Sequence, residues 1–80
     1  IIISIMAQSC KVGTYIFRIN PSDDRQLQVR SIGGSSFAYY WTAPNGYHIL
    51  DLMPRGDEMV IYTDRYNYVR KRSGSITPEY

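Results

Sequence analysis

Short segments rich in Val, Ile, Tyr, Phe and Thr alternate with clusters of Gly, Pro, Asn, Asp and Ser along most of this chain. That rhythm constrains the fold more than any other feature. Turns recur about every ten or eleven residues, which is the pattern of an all-β sandwich or barrel. No segment carries apolar residues at i, i+3, i+4 and i+7 over a helical length. Every connection is short, so neighbouring strands are expected to pair antiparallel.

The expected strands follow from the alternation. Val12–Ile19 places Tyr15, Phe17 and Ile19 on one face. Asn20–Asp24 is a turn, with Pro21 presetting the backbone and Asn, Ser and Asp side chains offering local bonds. Arg25–Ile32 sets Leu27 and Val29 against Gln26, Gln28 and Arg30, so one face is wet. Gly33–Ser36 turns the chain into Phe37–Thr42, where Phe37, Tyr39 and Trp41 are expected on one side and Ala38, Tyr40 and Thr42 on the other. Ala43–Gly46 reads as a hairpin loop because it ends in Asn-Gly. Tyr47–Met53, Glu58–Thr63 and Tyr66–Arg72 complete the set, with turns at Pro54–Asp57 and Asp64–Arg65.

The fold class expected from this is all-β: a small antiparallel meander of six to seven short strands, closed or half-closed into a barrel. In strand order alone the meander resembles lipocalin-like barrels, although it is much shorter. At 80 residues the chain is one domain, and a chain of this size has a small core. Within residues 1–80, the segment 12–72 is the meander and 73–80 reads as a C-terminal tail, given Gly74 and Pro78.

Residues 1–11 admit several readings. Ile1–Ala7 is the most apolar stretch and suits a buried first strand. Ala7-Gln8-Ser9-Cys10 also stands where a bacterial lipoprotein signal would be cut, without the charged segment that precedes such a signal. In a third reading Met6 is the true start. A single Cys excludes an intrachain disulfide, and it fits a cytoplasmic, secreted or lipid-anchored setting. A buried, inert thiol is the simplest account of it. No run of 18 apolar residues is present.

Little in the chain suggests catalysis, and it is read as not an enzyme. His48 and Asp51 are three apart, so on a strand they face opposite ways. Asp57 and Glu58 likewise diverge. Ser35 and Ser36 lack a nucleophile motif. No cofactor or metal motif appears. Arg55-Gly56-Asp57 matches an adhesion tripeptide, but a turn explains it.

Binding is the better expectation. Eleven aromatics, eight of them Tyr, exceed what one small core needs. The net charge is only +2, yet residues 65–72 carry four cations and no acid. Seven of the nine cations are Arg, whose planar fork suits carboxylates, phosphates and aromatic faces. Tyr66 and Tyr68 share a face with Arg70 and Arg72 in an extended chain, and Tyr40 and Trp41 add rings on an earlier strand. Tyr40, Trp41, Tyr66, Tyr68, Arg70 and Arg72 are therefore the candidate binding residues. A protein partner or small ligand is the first expectation, because Tyr, Trp and Arg are enriched at interface hot spots. A nucleic-acid-binding barrel of the OB or SH3-like kind is the second, and a secreted or lipid-anchored lipoprotein domain the third. An open strand edge would also allow a homo-oligomer.

Overall fold

The computed structural model describes residues 9–79. Eight strands form in sequence: β1 (Ser9–Val12), β2 (Tyr15–Ile19), β3 (Gln26–Ser31), β4 (Ala38–Thr42), β5 (Ile49–Arg55), β6 (Glu58–Thr63), β7 (Asn67–Arg70) and β8 (Ile76–Glu79). They make two four-stranded antiparallel meanders, β1-β2-β3-β4 and β5-β6-β7-β8. The all-β, antiparallel expectation holds. The barrel does not: neither sheet closes or curls strongly. This removes the lipocalin-like resemblance and the OB or SH3-like form of the nucleic-acid reading.

Closure fails at the link between β4 and β5. Asn45-Gly46 does make a turn, with the Tyr47 amide donating to the Pro44 carbonyl. The flanking residues, however, pair elsewhere. The amides of Ala43 and Ile49 donate to the carbonyls of Arg25 and Asp24, so the chain crosses from one sheet to the other instead of folding back as a hairpin. Pro54 and Pro78 lie on β5 and β8, the two edges of the second sheet, where a residue without an N–H costs no ladder bond.

Two strands were concealed by the alternation. Val12–Ile19 is broken at Gly13-Thr14, which joins β1 to β2 with Val12 opposite Tyr15. Gly13 has φ +60, which fits a two-residue hairpin loop with glycine in its first central position. Ile76–Glu79 forms β8 against β7, where a tail is expected from sequence. The apolar run Ile1–Ala7, whether first strand or signal remnant, lies outside the described residues.

The two sheets share one core. Cys10, Val12, Phe17, Ile19 and Leu27 come from the first sheet, and Ile49, Leu52, Met59 and Ile61 from the second. Phe17, Leu27, Met59 and Ile61 are fully buried, each contributing roughly 1.5–3 kcal/mol of transfer free energy. Cys10 is part of this core, and burial pushes its thiol pKa up, with Asp51 adding to the effect. A lipid attached to that sulfur would have to occupy the core, so the folded domain disfavours the lipidated reading of Cys10.

The aromatic run on β4 departs from simple alternation. The β3–β4 register shifts between Leu27 and Gln28, with Leu27 opposite Trp41 but Gln28 opposite Tyr39. Tyr40 is the extra residue of this bulge. An extra residue turns two consecutive side chains toward the same face. Tyr40 and Trp41 therefore both pack on the core, while Tyr39 is exposed on the opposite face beside Thr42, whose hydroxyl donates to the Tyr39 oxygen.

Candidate functional site

β7 brings a cation into the interior. Met59 and Ile61 define the inner face of the second sheet, and Arg70 and Tyr68 stand opposite them in the β6–β7 register. Tyr68 accordingly packs against Trp41 and Tyr47, with ring centroids 5.0 and 6.1 Å apart. Arg70 points the same way, and only 8% of its surface remains exposed.

A buried guanidinium normally sits on a carboxylate, because desolvating an unpaired charge is costly. Arg70 has no such partner among the described residues. Its Nε donates to the Tyr40 hydroxyl at 3.3 Å, and that hydroxyl donates in turn to the Gly74 carbonyl. Its guanidinium carbon lies 5.1 Å from the Phe17 ring centroid and 5.9 Å from that of Tyr15. Ring quadrupoles offset part of the desolvation cost. Among the described residues, the one protein hydrogen bond given for the Arg70 side chain is that from its Nε.

These groups line a cleft of about 320 Å³, at the small end of ligand-site volumes. Tyr15, Phe17, Val29 and Tyr40 supply an aromatic and apolar wall from the first sheet. Arg70, Arg72, Ser73 and Gly74 supply the polar side from the second. Arg72 stands at the rim, largely solvated and 3.8 Å from Asp57. The arrangement offers an anion the Arg70 guanidinium at the base, a second cation at the mouth and a ring-lined wall for an apolar body.

The structure separates the six residues singled out in the sequence. Tyr40, Arg70 and Arg72 come together in this cleft. Trp41 and Tyr68 meet in a different cluster with Tyr47, whose ring carries Arg65 at 5.6 Å. Tyr66 is exposed in the link between β6 and β7 and is not among the residues that line the cleft. Arg70 is inside rather than on a wet row with Tyr66. Tyr15, Phe17, Val29, Ser73 and Gly74 complete the cleft and lie outside the six candidate binding residues. The alternation of Tyr15, Phe17 and Val29 is visible in the sequence, but only the packing of two sheets shows that Arg70 lies beneath them.

His48 has a different partner from the one its spacing suggests. Its Nδ1 lies 2.8 Å from the Asp24 carboxylate, brought across by the β2–β3 turn. The hydrogen bond and the charge of Asp24 raise its pKa from the ordinary 6.5, with Asp64 adding and burial and Arg25 opposing. A His pKa raised by folding contributes stability in full below 6.5, and that contribution is lost as pH rises through the folded value. Thermal stability is thus expected to fall modestly as pH rises above 6.5, and Asp24→Asn should remove that slope. A histidine titration by NMR that is unchanged in Asp24→Asn would refute the assignment.

No family model, curated protein or solved structure matches this chain. Among the described residues there is no group of three or more His, Cys, Asp or Glu placed to hold a metal ion, and no helix is long and apolar enough to cross a membrane.

Proposed function

We propose that this domain is a non-catalytic binding module, and that the cleft over Arg70 takes a ligand with an anionic head and an apolar or aromatic body. One observation carries the reading. Arg70 is buried without a carboxylate partner among the described residues, and its side chain lines an open cleft. Hydrogen bonds between a guanidinium and a carboxylate or phosphate are about twice as strong as neutral ones. A buried fork waiting for such a group is already oriented, which reduces the entropy cost of binding.

The head group can belong to a small molecule or to a protein, as a phosphorylated or carboxylate-bearing side chain. Phenyl phosphate is the simplest probe of this chemistry. Calorimetric titration is expected to show saturable binding of phenyl phosphate, weaker binding of inorganic phosphate and none of phenol at the same concentrations. The first comparison isolates the wall and the second the fork. Equal weak binding of all three would mean that the cleft selects nothing, and the reading would fall. A phosphotyrosine peptide in a parallel titration distinguishes the sources: tighter binding than phenyl phosphate points to a protein partner, and equal binding to a small ligand.

A further inference from the structure

The outer face of the first sheet is built differently from everything around the cleft. Phe17, Ile19, Leu27 and Val29 turn toward the core, so Ile16, Arg18, Gln28 and Arg30 project from the other side of β2 and β3. Lys11 joins them from β1, opposite Ile16, which is itself opposite Arg30. Arg18 is opposite Gln28, which is opposite Tyr39 on β4. The result is a continuous cross-strand surface of three cations and two rings, Phe37 and Tyr39.

Its charge is all of one sign. None of the four strands contains Asp or Glu. Lys11, Arg18 and Arg30 make no ion pair among the described residues, whereas Arg55 on the second sheet binds Glu58 and Glu79 at 3.1 and 3.0 Å. The cations are held in place by neutral groups. Arg18 Nε donates to the Gln28 side chain at 2.7 Å, and Arg30 donates to the Gly34 carbonyl at 3.1 Å. Both guanidinium groups approach the Phe37 ring, at 4.0 and 5.3 Å from its centroid. A guanidinium held against a ring keeps its remaining N–H groups for phosphates, and its free face for a base. Tyr39, 62% exposed, offers a second stacking surface on the same face.

We propose that this face binds single-stranded nucleic acid, with bases stacking on Tyr39 and the Arg18–Phe37–Arg30 platform and phosphates meeting Lys11, Arg18 and Arg30. The charge pattern favours a polyanion, and the interleaved rings favour one that carries flat, stackable groups along its length. An acidic protein or an anionic bilayer would use the cations and leave the rings idle. The surface lies on the opposite side of the sheet from the Arg70 cleft and does not depend on it.

The test is fluorescence anisotropy of a labelled 15-nucleotide poly-dT strand, with the whole chain at 50 and 200 mM salt. Three phosphate contacts predict a log–log salt slope near −2, so affinity should fall by roughly 20-fold across that range. Tyr39→Ala should weaken binding about 5- to 150-fold, and Arg18→Gln with Arg30→Gln should flatten the slope toward −0.7. Tyr39 is exposed and Arg18 and Arg30 are half-buried on the outer face, and an unchanged circular dichroism melt would show that the variants fold. Arg70→Met should bind the strand as the parent does, which separates this surface from the cleft. No anisotropy change at 100 µM protein would overturn the proposal. So would binding that survives both surface variants, or equal binding to polyglutamate or phosphatidylserine vesicles.

Discussion

Phe17→Ala should unfold much of this domain at physiological temperature. The ring is fully buried at the centre of the shared core and meets Tyr40 edge-on, with centroids 5.1 Å apart. Truncating a buried Phe costs about 3–5 kcal/mol, combining lost transfer energy with the cavity left behind. At about 0.05–0.15 kcal/mol per residue, a chain of this length is stable by only roughly 4–12 kcal/mol. The loss therefore takes a large share of the total, and the melting temperature should fall by roughly 12–40 °C at 4–8 °C per kcal/mol. Phe17→Leu should lose less, because most of the volume remains. A thermal melt of Phe17→Ala within a few degrees of the parent would show that the two sheets do not share this core.

Arg70→Met is expected to have the opposite profile. It removes a buried cation that no carboxylate among the described residues neutralises, and Met fills much of the same volume. The variant gives up the hydrogen bond to Tyr40 and the contacts with Phe17 and Tyr15. In return it escapes the cost of desolvating a charge. Its stability should therefore equal the parent's or exceed it by about 1–2 kcal/mol. Binding of phenyl phosphate should fall about 10- to 100-fold, because hydrogen bonds to charged groups contribute roughly 1.5–3 kcal/mol. This combination marks a residue retained for a ligand at the expense of stability. A variant that loses several kcal/mol of stability would show that Arg70 supports the fold instead.

Several features of the fold were legible in the chain. The turn chemistry at Asn20–Asp24 is borne out: the Ser22 amide donates to the Asn20 side chain and the Arg25 amide to Asp23. The inward set of Leu27 and Val29 and the outward set of Gln28 and Arg30 follow directly from alternation. Other features depended on a single residue of register. Gly13 splits what reads as one strand, because a lone Gly in a β-rich run marks either a bulge or a two-residue turn. The extra residue at Tyr40 separates Trp41 from Phe37 and Tyr39, with which alternation groups it, and sets it on the core face beside Tyr40. Such a bulge has no local signal beyond the run of aromatics itself.

The site was less legible than the fold, for a physical reason. Tyr66, Tyr68, Arg70 and Arg72 look like one row because alternation is the only geometry a sequence displays. The regular strand ends at Arg70, and the chain turns through residues 71–75, where the Lys71 amide bonds the Ser75 carbonyl. Arg72 then reaches the cleft mouth from a turn, whereas Arg70 reaches its base from a strand. The partners of Arg70 are 30 or more residues away in sequence, on β2 and β4. The outer face of the first sheet is not legible in the sequence for the converse reason. Lys11, Arg18 and Arg30 are far apart in sequence and form no charge run, yet three adjacent strands bring them together.

Whether Arg70 holds the ligand is tested most directly by following its Nε–Hε resonance by NMR while phenyl phosphate is added. In the free protein this proton points at the Tyr40 hydroxyl, and it reports on any ligand that engages the same guanidinium. A ligand held by Arg70 gives a saturable shift of this resonance, with the same dissociation constant as the calorimetric titration, and no comparable shift for Arg55 or Arg65. An Arg70 resonance that stays still while phosphate binds elsewhere would contradict that role.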